Sequence, residues 1–271
     1  MYDFDRINQG PSMDAPRRDP LREEKHRKMK ATRIGLALFL GAFASYIVGI
    51  PTMIICIGFF LLLGAIGLGI AGYVMMIKGG DALQKPHKTL VILSLVIMIA
   101  SIFVGVILGL VVTGMGNYDF DWGLEEKTYS GAEVKEELET LQRGVWTGIV
   151  TTILTSGAWA MLFFIPSKKW GKILIVVYVV LAILLAVTSA GLKYVMIQNE
   201  IDDIEDDDLY SRTEKDTLIS DLNLRLILPG LMGFIASILL VIIAIGAYLN
   251  VKKMEQELEP KLDPRLYSIN M

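Results

Sequence analysis

Cysteine and histidine are scarce in this chain. One cysteine, Cys56, and two histidines, His26 and His87, occur among 271 residues. A single cysteine closes no intrachain disulfide, so no disulfide framework is expected. Inside its apolar run, Cys56 reads as a small buried side chain. Two isolated histidines and one thiol make neither a zinc-type ligand set nor a nucleophile–base pair. His-Glu-x-x-His, Gly-x-Ser-x-Gly and a phosphate-binding glycine loop are also missing. The expectation is a non-enzymatic chain with no catalytic residues, no metal ligands and no cofactor.

Charge is missing from long stretches. Uncharged, mostly apolar runs of 17 to 44 positions recur along the chain. The whole chain is 53% apolar and 20% charged, with a mean hydropathy of +0.51. Runs of about 18 or more apolar residues read as membrane spans. A soluble domain, a disordered chain and a nucleic-acid module are therefore excluded. No cleavable leader is expected, because the first 33 residues are polar and the run after them is 44 residues long. No lipidation motif opens or closes the chain.

Six runs are long enough to cross a bilayer: 34–50, 52–77, 89–113, 145–166, 173–197 and 226–249. The stretch 34–77 would reach about 66 Å as one helix, twice the hydrocarbon thickness. Pro51, after Gly49 and Ile50, removes a helix hydrogen bond at its middle. A tight helical hairpin fits both facts.

The charge distribution chooses between five spans and six. The segment 1–33 carries nine basic and six acidic residues. The loop 78–88 holds Lys78, Lys85 and Lys88, the loop 167–172 holds Lys168, Lys169 and Lys172, and Lys252 and Lys253 follow the last run. By contrast, 114–144 has eight acids and three bases, and 198–225 has ten acids and three bases. Only six spans put every basic segment on one side and both acidic loops on the other. Loops rich in Lys and Arg stay cytoplasmic, so both termini are expected there. The predicted fold is all-α: a polytopic bundle of six transmembrane helices in the plasma membrane, with two short outer helices. The expected organisation is a largely disordered basic tail at 1–33, a hairpin at 34–77 and two span–acidic loop–span units at 89–166 and 173–249. A cytoplasmic tail at 250–271 completes it.

The two units resemble each other at a shift of 81. Tyr129-Ser130-Gly131-Ala132-Glu133 lines up with Tyr210-Ser211-Arg212-Thr213-Glu214. Each is a Ser-x-x-Glu capping box that opens a helix. Val134, Leu138 and Leu141 then form an apolar stripe on the first outer helix, and Leu218, Ile219 and Leu222 one on the second. Val134, Leu138, Leu141, Leu218 and Leu222 are candidates for an outer partner surface. The match is read either as a true internal repeat or as an accident of composition. Pro229 predicts a kink where the second outer helix meets the last span, whereas the first could run on through Arg143 and Gly144.

Lys193 is the only charge within a span, near its outer end, where it can snorkel to the surface or pair with an outer acid. A pump usually needs ionisable groups at mid-membrane, and none is found. The fourth span carries Thr147, Gly148, Thr151, Thr152, Thr155 and Ser156, and the third carries Ser101, Gly105 and Gly109. Small residues and hydroxyls serve close helix packing; the same face could line a narrow polar path or a partner site. Glu200, Asp202, Asp203, Glu205, Asp206, Asp207 and Asp208 are read either as a solvated loop or as a binder of cations or basic partners. Arg22, Lys25, Arg27, Lys28, Lys30 and Arg33 precede the first span and would bind an anionic inner leaflet, each at about 1 kcal/mol. Residues 20–31 could lie there as an interfacial helix.

Gly35, Gly41, Ser45, Ile50-Pro51, Gly58, Gly64 to Gly72 and Lys78-Gly79-Gly80, with the span after them, carry a resemblance. Residues 33–113 resemble a glycine-rich membrane hairpin of small, uncharacterised bacterial membrane proteins. The resemblance implies a bacterial plasma membrane and brings no activity with it. Two functions fit the sequence: an accessory, assembly or sensor subunit that works through helix and outer-loop contacts, and a permease or permease subunit for a lipid, peptide or small solute. Expected partners are the bilayer and another membrane protein or a second copy, and not nucleic acid.

Overall fold

A computed structural model of the chain describes residues 20–49, 52, 57–112, 128–205 and 208–258. Pro51, Cys56, Asp206 and Asp207, the tails 1–19 and 259–271, and residues 113–127 of the first acidic loop lie outside the described residues. The elements are α1 (Pro20–Gly49), α2 (Ile57–Gly79), a 3-10 turn (Gly80–Ala82) and α3 (Pro86–Val112), then β1 (Thr128–Ser130), α4 (Gly131–Val145) and α5 (Thr147–Phe164). They are followed by α6 (Lys169–Asp202), β2 (Leu209–Ser211), α7 (Arg212–Gly230) and α8 (Met232–Leu258). Six segments are long and apolar enough to cross a membrane: α1, α2, α3, α4 with α5, α6, and α7 with α8. The described residues are thus nearly all helical, with one short β-ribbon and six segments long and apolar enough for a multi-pass membrane protein.

Neighbouring helices run in the order α3, α5, α6, α8, α1, α2, and α2 meets α3 again beside the 3-10 turn. The described basic segments, 20–33, 78–88, 167–172 and 252–253, gather at one end of this bundle. There Arg33 Nε lies 2.9 Å from Glu255, Arg22 donates to the Leu258 carbonyl, and Asn250 donates to the Pro166 carbonyl. The ribbon β1–β2, α4 and most of α7 form a cap at the opposite, acidic end.

α1 and α2 form an antiparallel hairpin held by close backbone approach. A Cβ on Gly35 would stand 2.9 Å from the Gly72 carbonyl oxygen and 2.6 Å from Met76 Cγ. Such contact suits a membrane interior, where helices associate by packing and hydrogen bonds rather than by removing apolar surface from water.

Residues 20–33 depart from the expected largely disordered tail and are helical, in keeping with a helix over 20–31, though not as a separate interfacial helix. They form the first turns of one helix continuous with the span. Pro20 fits a helix start because its missing amide hydrogen would have no partner there. Lys28 pairs with Glu24 at 2.7 Å, one turn away, and Met29 and Thr32 are buried. At the other terminus α8 runs through to Leu258, so the expected tail boundary at 250 falls inside a helix.

The break near Pro229 is found at Leu231, whose amide reaches the carbonyls of Ile227 and Leu228. The first copy is broken as well, at Trp146. There Thr147 Oγ1 donates to the Gly144 carbonyl at 2.7 Å, offering that carbonyl a partner outside the helix ladder.

Two cores result. The larger fills the basic half of the bundle around Phe39. Its ring meets Tyr73 at 5.0 Å and Trp159 at 5.7 Å, both edge-on. Trp159 stacks on Phe163, and Leu162, Tyr178 and Leu240 close the same cluster. The smaller core lies under the cap and joins Val134, Leu138, Ile197, Ile201, Ile204 and Leu222.

Candidate functional site

The hydroxyl-rich face lies between α3 and α5. Ser101 Oγ is 2.9 Å from Thr155 Oγ1 and 3.3 Å from the Thr151 carbonyl. One helical turn further, Gly105 lets the Thr151 methyl group approach, and a Cβ there would sit 3.1 Å from it. Toward the basic end, Ser94 donates to the Ala158 carbonyl at 2.7 Å and meets the Tyr73 hydroxyl at 3.0 Å. Ser94, Tyr73 and Ser101 are all buried. Ser94 and Ser101 stand seven residues apart, so both point along one α3 seam.

The remaining predicted members are placed differently. Thr147, Thr152 and Ser156 bond to carbonyls of their own helical segment, namely those of Gly144, Gly148 and Ile153. Thr151 also donates to the Thr147 carbonyl. Gly148 faces open space. Gly109 belongs to α3, but its surroundings lie outside the described residues. The structure therefore brings Ser101, Gly105, Thr151 and Thr155 together. It adds Ser94 and Tyr73, which the sequence hid because each is a lone polar group in a long apolar run.

The acidic end shows how the two similar segments relate. β1 and β2 pair antiparallel with Tyr129 opposite Tyr210, Thr128 opposite Ser211 and Ser130 opposite Leu209. Each strand thus meets its own counterpart at the shift of 81, about a local two-fold through the tyrosine pair. Both capping boxes form. Ser130 and Ser211 each give a backbone N–H to Glu133 or Glu214 at 2.9 Å, and each hydroxyl accepts the glutamate N–H in return. Gly131 N donates to the Asp208 carbonyl at 2.8 Å. A side chain at Gly131 would overlap the Glu205 carbonyl oxygen. Lys215 bridges the copies, with its ammonium 4.1 Å above the Tyr129 ring and also paired with Glu137. Partial burial, and then the neighbouring Asp208 carboxylate, hold the Tyr210 phenol above its ordinary pKa.

This geometry corrects the expected outer partner surface. Val134, Leu138 and Leu222 are buried, and Leu141 and Leu218 are packed beside them, against Ile197, Ile201 and Ile204 of the same chain. An apolar stripe on a charged helix needs cover, and here the projecting end of α6 supplies it. Sequence spacing identified the stripe but could not tell an internal cover from an external one.

Of the acidic cluster, Glu200 and Asp202 lie on the last turn of α6, and Asp202 and Asp208 are held by neighbouring groups of the same chain. Asp208 Oδ2 accepts from the Glu205 amide and the Tyr210 hydroxyl, and Gln198 donates to Asp202. Among the described residues no group of three or more His, Cys, Asp or Glu side chains is placed to hold a metal ion.

At the basic end the six Lys and Arg residues between 22 and 33 divide into two sets. Arg22, Lys28 and Arg33 bond within the chain, to Leu258, Glu24 and Glu255. Lys25, Arg27 and Lys30 are exposed. His87 is fully buried at the start of α3, with neither ring nitrogen hydrogen-bonded among the described residues.

No protein-family model, curated protein or solved structure matches the chain.

Proposed function

We propose that this chain is a non-enzymatic plasma-membrane protein that acts through helix and outer-loop contacts as an accessory, assembly or sensor subunit. Both termini lie in the cytoplasm in this reading, so the basic end is inner and the acidic cap outer. Its support is the gathering of the Lys- and Arg-rich segments at one end of the bundle, since such segments remain cytoplasmic. Lys25, Arg27 and Lys30 then face the anionic inner leaflet, each contributing about 1 kcal/mol of attraction.

The observation that carries the reading is how the interior is filled. The hydroxyls of Ser94, Ser101, Thr151 and Thr155 are bonded across or along the α3–α5 seam. Phe39, Trp159, Phe163 and Tyr178 occupy the basic half of the bundle. A packed interior suits a protein that works by presenting surfaces. Purification in a gentle detergent with mass spectrometry of the co-purified chains tests it. A stoichiometric membrane-protein partner is expected; recovery of the chain alone from native membranes would contradict it.

The alternative is a permease or permease subunit. It would use the hydroxyls that Ser101, Thr151 and Thr155 place along the α3–α5 seam as a narrow polar path. Thr151→Leu and Thr155→Leu decide between the two. Loss of a transport flux in a folded protein would establish the permease, and an unchanged phenotype supports the contact protein.

A further inference from the structure

The two outer helices carry matching faces, and among the described residues only one of the two faces is covered. Leu138, Gln142 and Trp146 of the first copy stand 81 positions before Ile219, Asn223 and Ile227 of the second. In the first copy all three residues touch α6. Leu138 packs on Ile197 and Ile201. Gln142 donates to the Gln198 side chain at 2.8 Å and to the Tyr194 carbonyl at 3.4 Å. The Trp146 ring lies 6.0 Å from that of Tyr194. In the second copy, Ile219, Asn223 and Ile227 line an open groove of about 540 Å³ with Glu137, Asp216, Ser220 and Leu224. Leu224 is 63% and Ile227 54% exposed.

The reason for the difference lies in helix length. α8 is flanked by α1 as α5 is flanked by α6. From Lys169, α6 continues to Asp202, about 50 Å at 1.5 Å per residue. From Arg33, at the same basic end, α1 continues only to Gly49, about 24 Å. It stops short of the cap, so among the described residues nothing stands beside α7 where α6 stands beside α4.

We propose that this groove docks the projecting end of a membrane-spanning helix from another protein. The helix presents an aromatic, an amide and an aliphatic residue at the spacing of Tyr194, Gln198 and Ile201, with a Lys or Arg beside that stripe. The internal copy supplies the template for the stripe. The charge follows from Asp216 at the groove, beside the Lys215–Glu137 pair, and from the net −5 and −7 of the two acidic loops. These same charges disfavour a second copy, which would bring an equally acidic end. The second copy's Tyr194–Gln198–Ile201 stripe is also already held by its own α4. The proposal rests on the contact-protein reading and names the class of partner.

The test uses the full chain in mild detergent, with Cys56→Ser and Asn223→Cys, and a benzophenone on the new thiol. The probe is a synthetic peptide with the sequence of residues 189–204, in which lysines replace Glu200 and Asp202. Saturable cross-linking at least fivefold above a scrambled peptide is expected. Ile219→Glu, or Leu224→Glu as a second variant, should reduce it at least fivefold while the thermal unfolding of the protein is unchanged. Equal capture of the scrambled peptide would overturn the proposal. So would cross-links that map instead to a second copy or to residues 113–127 of the same chain. Failure here would leave the contact-protein reading standing if a partner still co-purifies, because that partner could hold the lipid-facing helices.

Discussion

α4 and α7 begin alike and end differently. Each is opened by a serine–glutamate capping box, each follows a strand with a central tyrosine, and the two tyrosines face each other in one ribbon. Yet α4 closes over the projecting end of α6, whereas the corresponding face of α7 is left open. Local sequence sets where a helix starts. Whether its apolar face is covered depends on the length of a helix elsewhere in the bundle. The Leu138–Gln142–Trp146 face is therefore covered in one copy while its counterpart Ile219–Asn223–Ile227 is open in the other, although Leu218 and Leu222 of α7 share the small core.

Substitutions at matched positions can break this comparison. The largest difference is expected at the first helical residue. Gly131 has no room for a side chain against the Glu205 carbonyl, while its counterpart in the second copy is Arg212. Gly131→Val should cost about 4 kcal/mol or more and open the cap to protease. Arg212→Val should change stability by less than about 0.5 kcal/mol. Thermal unfolding in mild detergent, with limited proteolysis of the cap, measures both. Equal effects would mean that the ribbon does not hold the first copy as described.

A smaller contrast is expected one face further on. Leu138→Ala removes a fully buried side chain and should cost about 2–4 kcal/mol. Ile219→Ala, at the open groove, should cost under about 1 kcal/mol. Chemical denaturation of the two variants side by side would show the ranking, and a reversed order would sink it.

The capping boxes sharpen the comparison in the other direction, because here the copies are the same. Ser130→Ala and Ser211→Ala should each lower stability by about 1 kcal/mol. Amide hydrogen exchange at the first turns of α4 and α7 should rise equally in the two variants. The smallest effect is expected at the amides. Gln142→Ala loses two hydrogen bonds to α6 and should cost about 1 kcal/mol. Asn223→Ala should be neutral within about 0.5 kcal/mol in the isolated protein.

Much of this was legible in the sequence, for identifiable reasons. Six apolar runs with one charge among them, and the proline at position 51, pointed to six helices long and apolar enough to cross a membrane, because charge in a bilayer is costly enough to be confined to the loops. The capping boxes at Ser130 and Ser211 were readable because their partners are three residues apart. What escaped the sequence was set at long range. The three-residue strands around Tyr129 and Tyr210 are too short to carry a period of their own, so the shift of 81 showed their likeness without showing their pairing. Arg33 and Glu255 are 222 positions apart and each looks like one more charge in a polar tail. A helix over 20–31 was open to reading, because the stretch lacks Gly and has no Pro after position 20, but its continuity with the span was not, since its cover comes from the end of α2, the 3-10 turn and α8. The direction of the Leu138 and Leu222 stripes depended on α6 reaching past its span, which a hydropathy count does not measure.

The most direct measurement is thiol labelling of the purified protein at two matched positions. In a Cys56→Ser background, Leu138→Cys and Ile219→Cys would be exposed separately to a bulky, water-soluble maleimide under native conditions. Rapid labelling at position 219 and protection at position 138 until the protein is unfolded is the predicted result. Equal labelling of the two thiols would contradict the claim that one copy is covered and the other open.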